Sequence, residues 1–168
     1  MDQNIILTGM MGCGKTTVGR LLAQRLGLEL ADTDALIEEE SQSTIRDIFR
    51  DYGEDRFRDW EETVSRELGR KSGLVVACGG GLPMRDAAIT ALKQSGPVFW
   101  LDRDPGETYD GLDVSGRPLA QSGREEFVRR YQDRAPVYRR WADYIIRAKT
   151  PEEAEALIST IYLEVCQA

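Results

Sequence analysis

Gly9-Met10-Met11-Gly12-Cys13-Gly14-Lys15-Thr16-Thr17 fills every defined position of the pattern G-x-x-x-x-G-K-[ST]. Its flanks complete the signature. Asn4-Ile5-Ile6-Leu7-Thr8 reads as a buried parallel strand, and from Thr17 to Leu26 apolar residues recur at helical spacing. Glycines let a backbone wrap an oxyanion with its N–H groups turned inward, at the positive end of the helix that follows. Lys15 would then meet β- and γ-phosphates as a point charge, and the Thr16 hydroxyl would ligate the Mg²⁺ that accompanies them.

At 168 residues, 41% of them hydrophobic, the chain has the length of one domain, expected to span residues 1–168. A net charge of −7 and a pI near 4.8 argue against nucleic acid or an anionic membrane as partner, so any anion site must be local. There is no apolar run of transmembrane length and no signal-peptide pattern at the start, so a cytoplasmic location is expected. The three cysteines, Cys13, Cys78 and Cys166, form no C-x-x-C pair and suggest neither a disulfide framework nor zinc. Cys13 sits inside the loop, where alkylation could block nucleotide binding; an inert small residue is the alternative. With no histidine, carboxylates, lysines, arginines and backbone must carry the chemistry.

Glu29-Leu30-Ala31 reads as a second strand running into Asp32-Thr33-Asp34, a pair of carboxylates where open α/β sheets place their ligands. If extended, both side chains lean to one side, one toward metal and one toward an acceptor; otherwise Asp34 or Thr33 caps a helix from Ala35 to Glu40. The run Glu38-Glu39-Glu40 reads as a solvated face. Thr44 caps a short helix ended by Gly53, and Glu54 to Leu68 carries Phe57, Trp60, Val64 and Leu68 as a core stripe. The third strand, Leu74 to Cys78, finishes on Gly79-Gly80-Gly81, which would let backbone approach a ligand or would serve as a flexible turn. A helix from Arg85 to Lys93 and a strand from Pro97 to Asp102 follow.

The polar stretch from Asp104 to Arg124 reads as a lid, from which Arg117 could swing onto the phosphates as an arginine finger in cis. A basic helix from Arg124 to Trp141, a strand at Asp143 to Ile146 and a helix opened by Thr150-Pro151-Glu152-Glu153 complete the chain. Five strands alternating with helices imply a three-layer α/β/α sandwich on a mainly parallel sheet.

With these pieces in order, the chain resembles the shikimate kinases over nearly its full length. The matching features are Gly9 to Arg20, Asp32-Thr33-Asp34, Phe57-Arg58 with Glu61-Glu62, Gly79-Gly80-Gly81, Arg117-Pro118-Leu119, and Arg134-Ala135-Pro136 with Tyr138. The resemblance implies a P-loop kinase fold with five parallel strands in the order 2-3-1-4-5, a lid near residues 105–124 and an acceptor-binding region near 34–61. It implies transfer of the ATP γ-phosphoryl to the 3-hydroxyl of shikimate, on the route to chorismate and the aromatic amino acids. On that basis Gly12, Cys13, Gly14, Lys15, Thr16 and Thr17 hold the triphosphate, and Thr16 with Asp32 holds Mg²⁺. Asp34 hydrogen-bonds the acceptor hydroxyls and takes a proton. Arg58 and Arg134 clamp the shikimate carboxylate beside Gly79, Gly80 and Gly81, and Arg117 closes over the phosphates. ATP and shikimate are the expected partners and a monomer the expected state.

Many members of that family carry an arginine at the lid start that stacks on adenine, where this chain has Tyr109-Asp110-Gly111. Tyr109, Arg147 and the Lys149 to Pro151 turn are the candidates to contact the base. Two other readings compete with this resemblance. One is a P-loop kinase acting on gluconate or a nucleoside monophosphate. The other is a guanine-nucleotide switch: Asp113-Val114-Ser115-Gly116 fits D-x-x-G, but lies in a polar loop, and the chain lacks an N-K-x-D guanine reader.

Overall fold

In the computed structural model, which describes residues 3–113 and 122–167, five strands form one sheet. They are β1 (Ile5–Thr8), β2 (Glu29–Asp32), β3 (Leu74–Ala77), β4 (Val98–Leu101) and β5 (Tyr144–Ile146). All pairings are parallel and the order is β2-β3-β1-β4-β5. The helices are α1 (Lys15–Leu26), α2 (Thr33–Ser41), α3 (Ile45–Leu68), α4 (Asp86–Lys93), α5 (Pro105–Asp110), α6 (Arg124–Trp141) and α7 (Pro151–Gln167).

The continuous apolar runs of β1, β3 and β4 are what a strand covered on both faces requires. Successive side chains alternate between two cores. Ile5, Leu7, Val75, Phe99 and Leu101 pack against Val18 and Leu22 of α1 and Ile158 and Tyr162 of α7. Ile6, Val76 and Val98 face the opposite layer, Phe57, Val64 and Leu68 of α3 and Ile89 and Leu92 of α4. A smaller cluster joins Met10 and Trp100 to Phe127 and Tyr138, seating α6 over the carboxyl end of β4. The parallel arrangement brings the carboxyl ends of β1, β2 and β3 to one edge, where the loops that carry chemistry emerge.

Asn4 staples the other end of the sheet. Buried completely, it donates from Nδ2 to the Lys71 carbonyl at 2.9 Å and accepts at Oδ1 from the Leu74 N–H at 2.9 Å. Asn4→Ala strands both backbone groups, and a loss of about 2–3 kcal/mol is expected. It should appear as a lower urea midpoint at unchanged m-value.

Two local expectations are corrected. The segment Asp32-Thr33-Asp34 does not stay extended, and neither Asp34 nor Thr33 is the cap. Asp32 itself caps α2, its Oδ1 accepting from the N–H groups of Asp34 at 3.0 Å and Ala35 at 3.2 Å, so the helix starts at Thr33. The stretch after β4 is not loop from its beginning: Asp104 accepts from the Glu107 N–H at 2.8 Å, Pro105 takes the first turn, and α5 runs to Asp110. Gly53, at φ 81° and ψ 175°, breaks α3 into the two expected parts. Arg117, Pro118 and Leu119 lie outside the described residues.

Candidate active site

The loop after β1 turns through Gly12 at φ 77° and Gly14 at φ 99°, left-handed conformations that glycine adopts without strain. Gly14 opens α1 with no side-chain cap, and no acidic residue stands in the first turn. The first amides of α1 are therefore left to an outside anion at the positive end of the helix dipole. Lys15, only 7% exposed, meanwhile donates to the carbonyls of Gly9 at 2.8 Å and Met10 at 2.7 Å. Its ammonium is thus held over the loop by groups it can exchange for phosphate oxygens.

The Asp32-Thr33-Asp34 triplet divides its labour. Asp32 Oδ2 accepts the Thr16 hydroxyl at 2.7 Å, while its other oxygen caps α2. Thr33, wholly buried, accepts the Gly79 N–H at 2.8 Å and so fixes the glycine turn after β3. Asp34 turns into a cavity of about 510 Å³ that the phosphate loop shares with Arg58, Arg134 and Gly79-Gly80-Gly81. A side chain at Gly79 or Gly81 would push the site's own groups aside. A methyl built on Gly79 would sit 2.5 Å from Asp34 Oδ1, and one on Gly81 would sit 2.7 Å from Cζ of Arg58.

Arg58 is gripped from two sides, by Glu61 Oε2 at 2.5 Å and Glu54 Oε1 at 2.8 Å. Arg134 is 8% exposed, with Nη1 buried and unpartnered, and Asp34 Oδ1 and Glu61 Oε1 are in the same condition. Buried polar atoms are nearly always satisfied. Orphans of both signs around one cavity call for a ligand that offers both donors and acceptors. Burial, reinforced by the charge of Asp32, pushes the Asp34 carboxyl up to about 6 against the pull of Lys15 and Arg58. Burial also raises Glu61, to about 7, with Arg58 opposing and Asp34 adding.

Gly12, Gly14, Lys15, Thr16, Thr17, Asp32, Asp34, Arg58, Gly79, Gly80, Gly81 and Arg134 all border this cavity. The Cys13 side chain does not. It is 3% exposed and packs with Val18, Leu101 and Ile146 beneath the loop, as a small apolar residue does. Phe57, read only as core, is buried yet also walls the cavity, together with Phe49. Glu38, read as solvated, borders it too and accepts the Ile45 N–H at 2.8 Å. Glu61 was legible only as a neighbour of the stripe; its position three residues after Arg58 on one helix is the signal for the pair.

Of the candidates to contact the base, half-buried Tyr109 packs its ring on Phe127 at 5.5 Å between centroids. Arg147 is paired with Asp102 at 2.9 Å. Thr150 and Pro151 line a second, smaller cavity with Arg103 and Leu101 on the far side of the loop.

The shikimate kinase family model matches residues 11–165. The chain belongs to the shikimate kinase family. It is 37% identical to a shikimate kinase of Clostridium beijerinckii over 88% of this chain and 86% of that one. It is 39% identical to the shikimate kinase of Thermodesulfovibrio yellowstonii over 93% of both. Among solved shikimate kinases, that of Acinetobacter baumannii in complex with shikimate superposes with a TM-score of 0.89 at 36% identity, covering 99% of this chain and 94% of its own. A sugar kinase from Janibacter, at 16% identity and a TM-score of 0.62, shares the fold alone.

Proposed function

We propose that the protein transfers the γ-phosphoryl group of ATP to the 3-hydroxyl of shikimate, giving shikimate 3-phosphate and ADP. The observation that carries this reading is the pairing, in one cavity, of an uncapped phosphate loop with two buried arginines and the buried, unpartnered Oδ1 of Asp34. An anionic polyol supplies what each orphan lacks. Its carboxylate suits the guanidinium forks of Arg58 and Arg134, and its hydroxyls suit Asp34. In this assignment the amides of Gly12 to Thr17 and Lys15 hold the triphosphate, and Arg117 closes over it. The Lys149 to Pro151 turn is assigned to the base.

Thr16 Oγ1 and Asp32 Oδ2 form an all-oxygen pair at the cavity, which fits a hard divalent cation such as Mg²⁺. When bound with ATP, Mg²⁺ neutralises phosphate charge. The chain's own residues do the rest. The loop and Lys15 fix the γ-phosphorus, the arginines and glycine turn aim the acceptor hydroxyl, and Asp34 receives the proton that hydroxyl loses. A loose transition state asks mainly for positioning and charge, so the lack of histidine is no handicap. The unpaired thiols of Cys13 and Cys78 accord with a cytoplasmic setting, which we propose together with a monomeric state.

The discriminating experiment is a coupled ADP-release assay with shikimate, gluconate and the common nucleoside monophosphates. Turnover with shikimate is expected; stimulation by gluconate alone overturns the assignment. A pH dependence follows from Asp34. Its carboxylate can accept a proton only when ionised, so activity is present above its pKa and lost as pH falls through it. kcat/KM for shikimate should decline about tenfold per pH unit below pH 6. Initial rates from pH 5 to pH 8 check this, and a flat profile to pH 5 would remove Asp34 as the proton acceptor.

A further inference from the structure

Tyr138 stands one turn beyond Arg134 on α6, fully buried, its ring 5.7 Å from that of Trp100. Its hydroxyl donates to the Gly80 carbonyl at 2.5 Å and lies 3.6 Å from Met10 Sδ in the phosphate loop. The other groups of the glycine turn are mostly committed. The Gly79 N–H is taken by Thr33, the Gly79 carbonyl accepts from the Leu82 N–H, and the Gly81 carbonyl accepts from the Met84 N–H. Among the described residues, no protein acceptor takes the N–H of Gly80 or Gly81, and both residues border the cavity.

A trans peptide points its C=O and N–H in opposite directions. A hydroxyl that holds the Gly80 oxygen on one side therefore turns the Gly81 N–H to the other. Gly81 is the residue pressed against the Arg58 guanidinium. We propose that Tyr138 is a positioning residue for the acceptor: its hydroxyl locks the Gly80–Gly81 peptide so that the Gly81 N–H joins Arg58 in holding the acceptor carboxylate. The proposal rests on the shikimate reading above. It gives the tyrosine a role that its ring alone, filling the core beside Trp100, does not require.

Tyr138→Phe preserves the ring and removes only the hydroxyl. KM for shikimate should rise about tenfold, with kcat and the ATP KM within about twofold. Equal losses toward both substrates, or an unchanged shikimate KM in a folded variant, would overturn the proposal. Wild-type turnover is the control. Its absence with shikimate would refute the acceptor assignment, whereas wild-type turnover beside an unaffected variant refutes only the role of Tyr138. Should the variant not fold, the Gly81 amide of the wild-type protein decides by NMR. A downfield shift on adding shikimate supports the hydrogen bond, and no movement overturns it.

Discussion

Lys15→Ala is expected to lower kcat by about a thousandfold. The size follows from what the ammonium replaces. Lys15 is buried, and its Nζ already sits between the carbonyls of Gly9 and Met10 at 2.8 and 2.7 Å, so it enters the reaction already oriented. At a side chain this buried, a single positive charge on the moving phosphoryl is worth several times its value in solution. Substituting alanine removes that charge and leaves two loop carbonyls without their donor, so nucleotide binding should weaken as well. Lys15→Arg is not expected to restore the rate, because a planar fork cannot occupy the place of a compact ammonium held by two converging oxygens. Steady-state kinetics with a parallel thermal melt separate lost chemistry from lost folding. Near-normal turnover by a folded Lys15→Ala would reject the phosphate-loop role.

What the amino-acid sequence discloses here depends on how local the cause is. The phosphate loop is a nine-residue signal whose strand, turn and helix follow in order, and the apolar runs of β1, β3 and β4 identify buried strands by themselves. Five strands alternating with helices then leave few topologies, and the observed order β2-β3-β1-β4-β5 is the one the family resemblance implies. The misread pieces are those decided by competition among nearby polar groups. Three candidates could cap α2; Asp32 prevails because one of its oxygens reaches two amides while the other still meets Thr16. The start of α5 was visible in Asp104-Pro105-Gly106-Glu107, the same type of cap as Thr150-Pro151-Glu152-Glu153, but the polar composition around it suggested loop.

Long-range partnerships left less trace. Thr33 with the Gly79 N–H, and Tyr138 with the Gly80 carbonyl, join segments 46 and 58 residues apart, and no spacing rule connects them. The same holds for the orphaned atoms of Asp34, Glu61 and Arg134, whose lack of partners exists only once the chain is folded around them. Such atoms cost stability in the empty protein and are retained where a ligand will satisfy them.

Arg134→Ala turns that cost into a second large effect, an increase of about a hundredfold in KM for shikimate. Arg134 gives a cleaner test than Arg58. Removing Arg58 would strand Glu61, which is wholly buried, and release Glu54, so a change in affinity would be mixed with damage to α3. Arg134 brings a buried Nη1 with no partner of its own, and what it gives the empty protein is its charge beside Glu61 and its contact with the Tyr138 hydroxyl. Its melting temperature should fall only slightly while acceptor binding collapses. The ATP KM should stay within about twofold, because the loss falls on binding of the carboxylate and not on the phosphate grip. A variant whose defect is confined to ATP, or one that melts markedly earlier than wild type, would show that Arg134 supports the fold or the nucleotide site and would remove it from the carboxylate clamp.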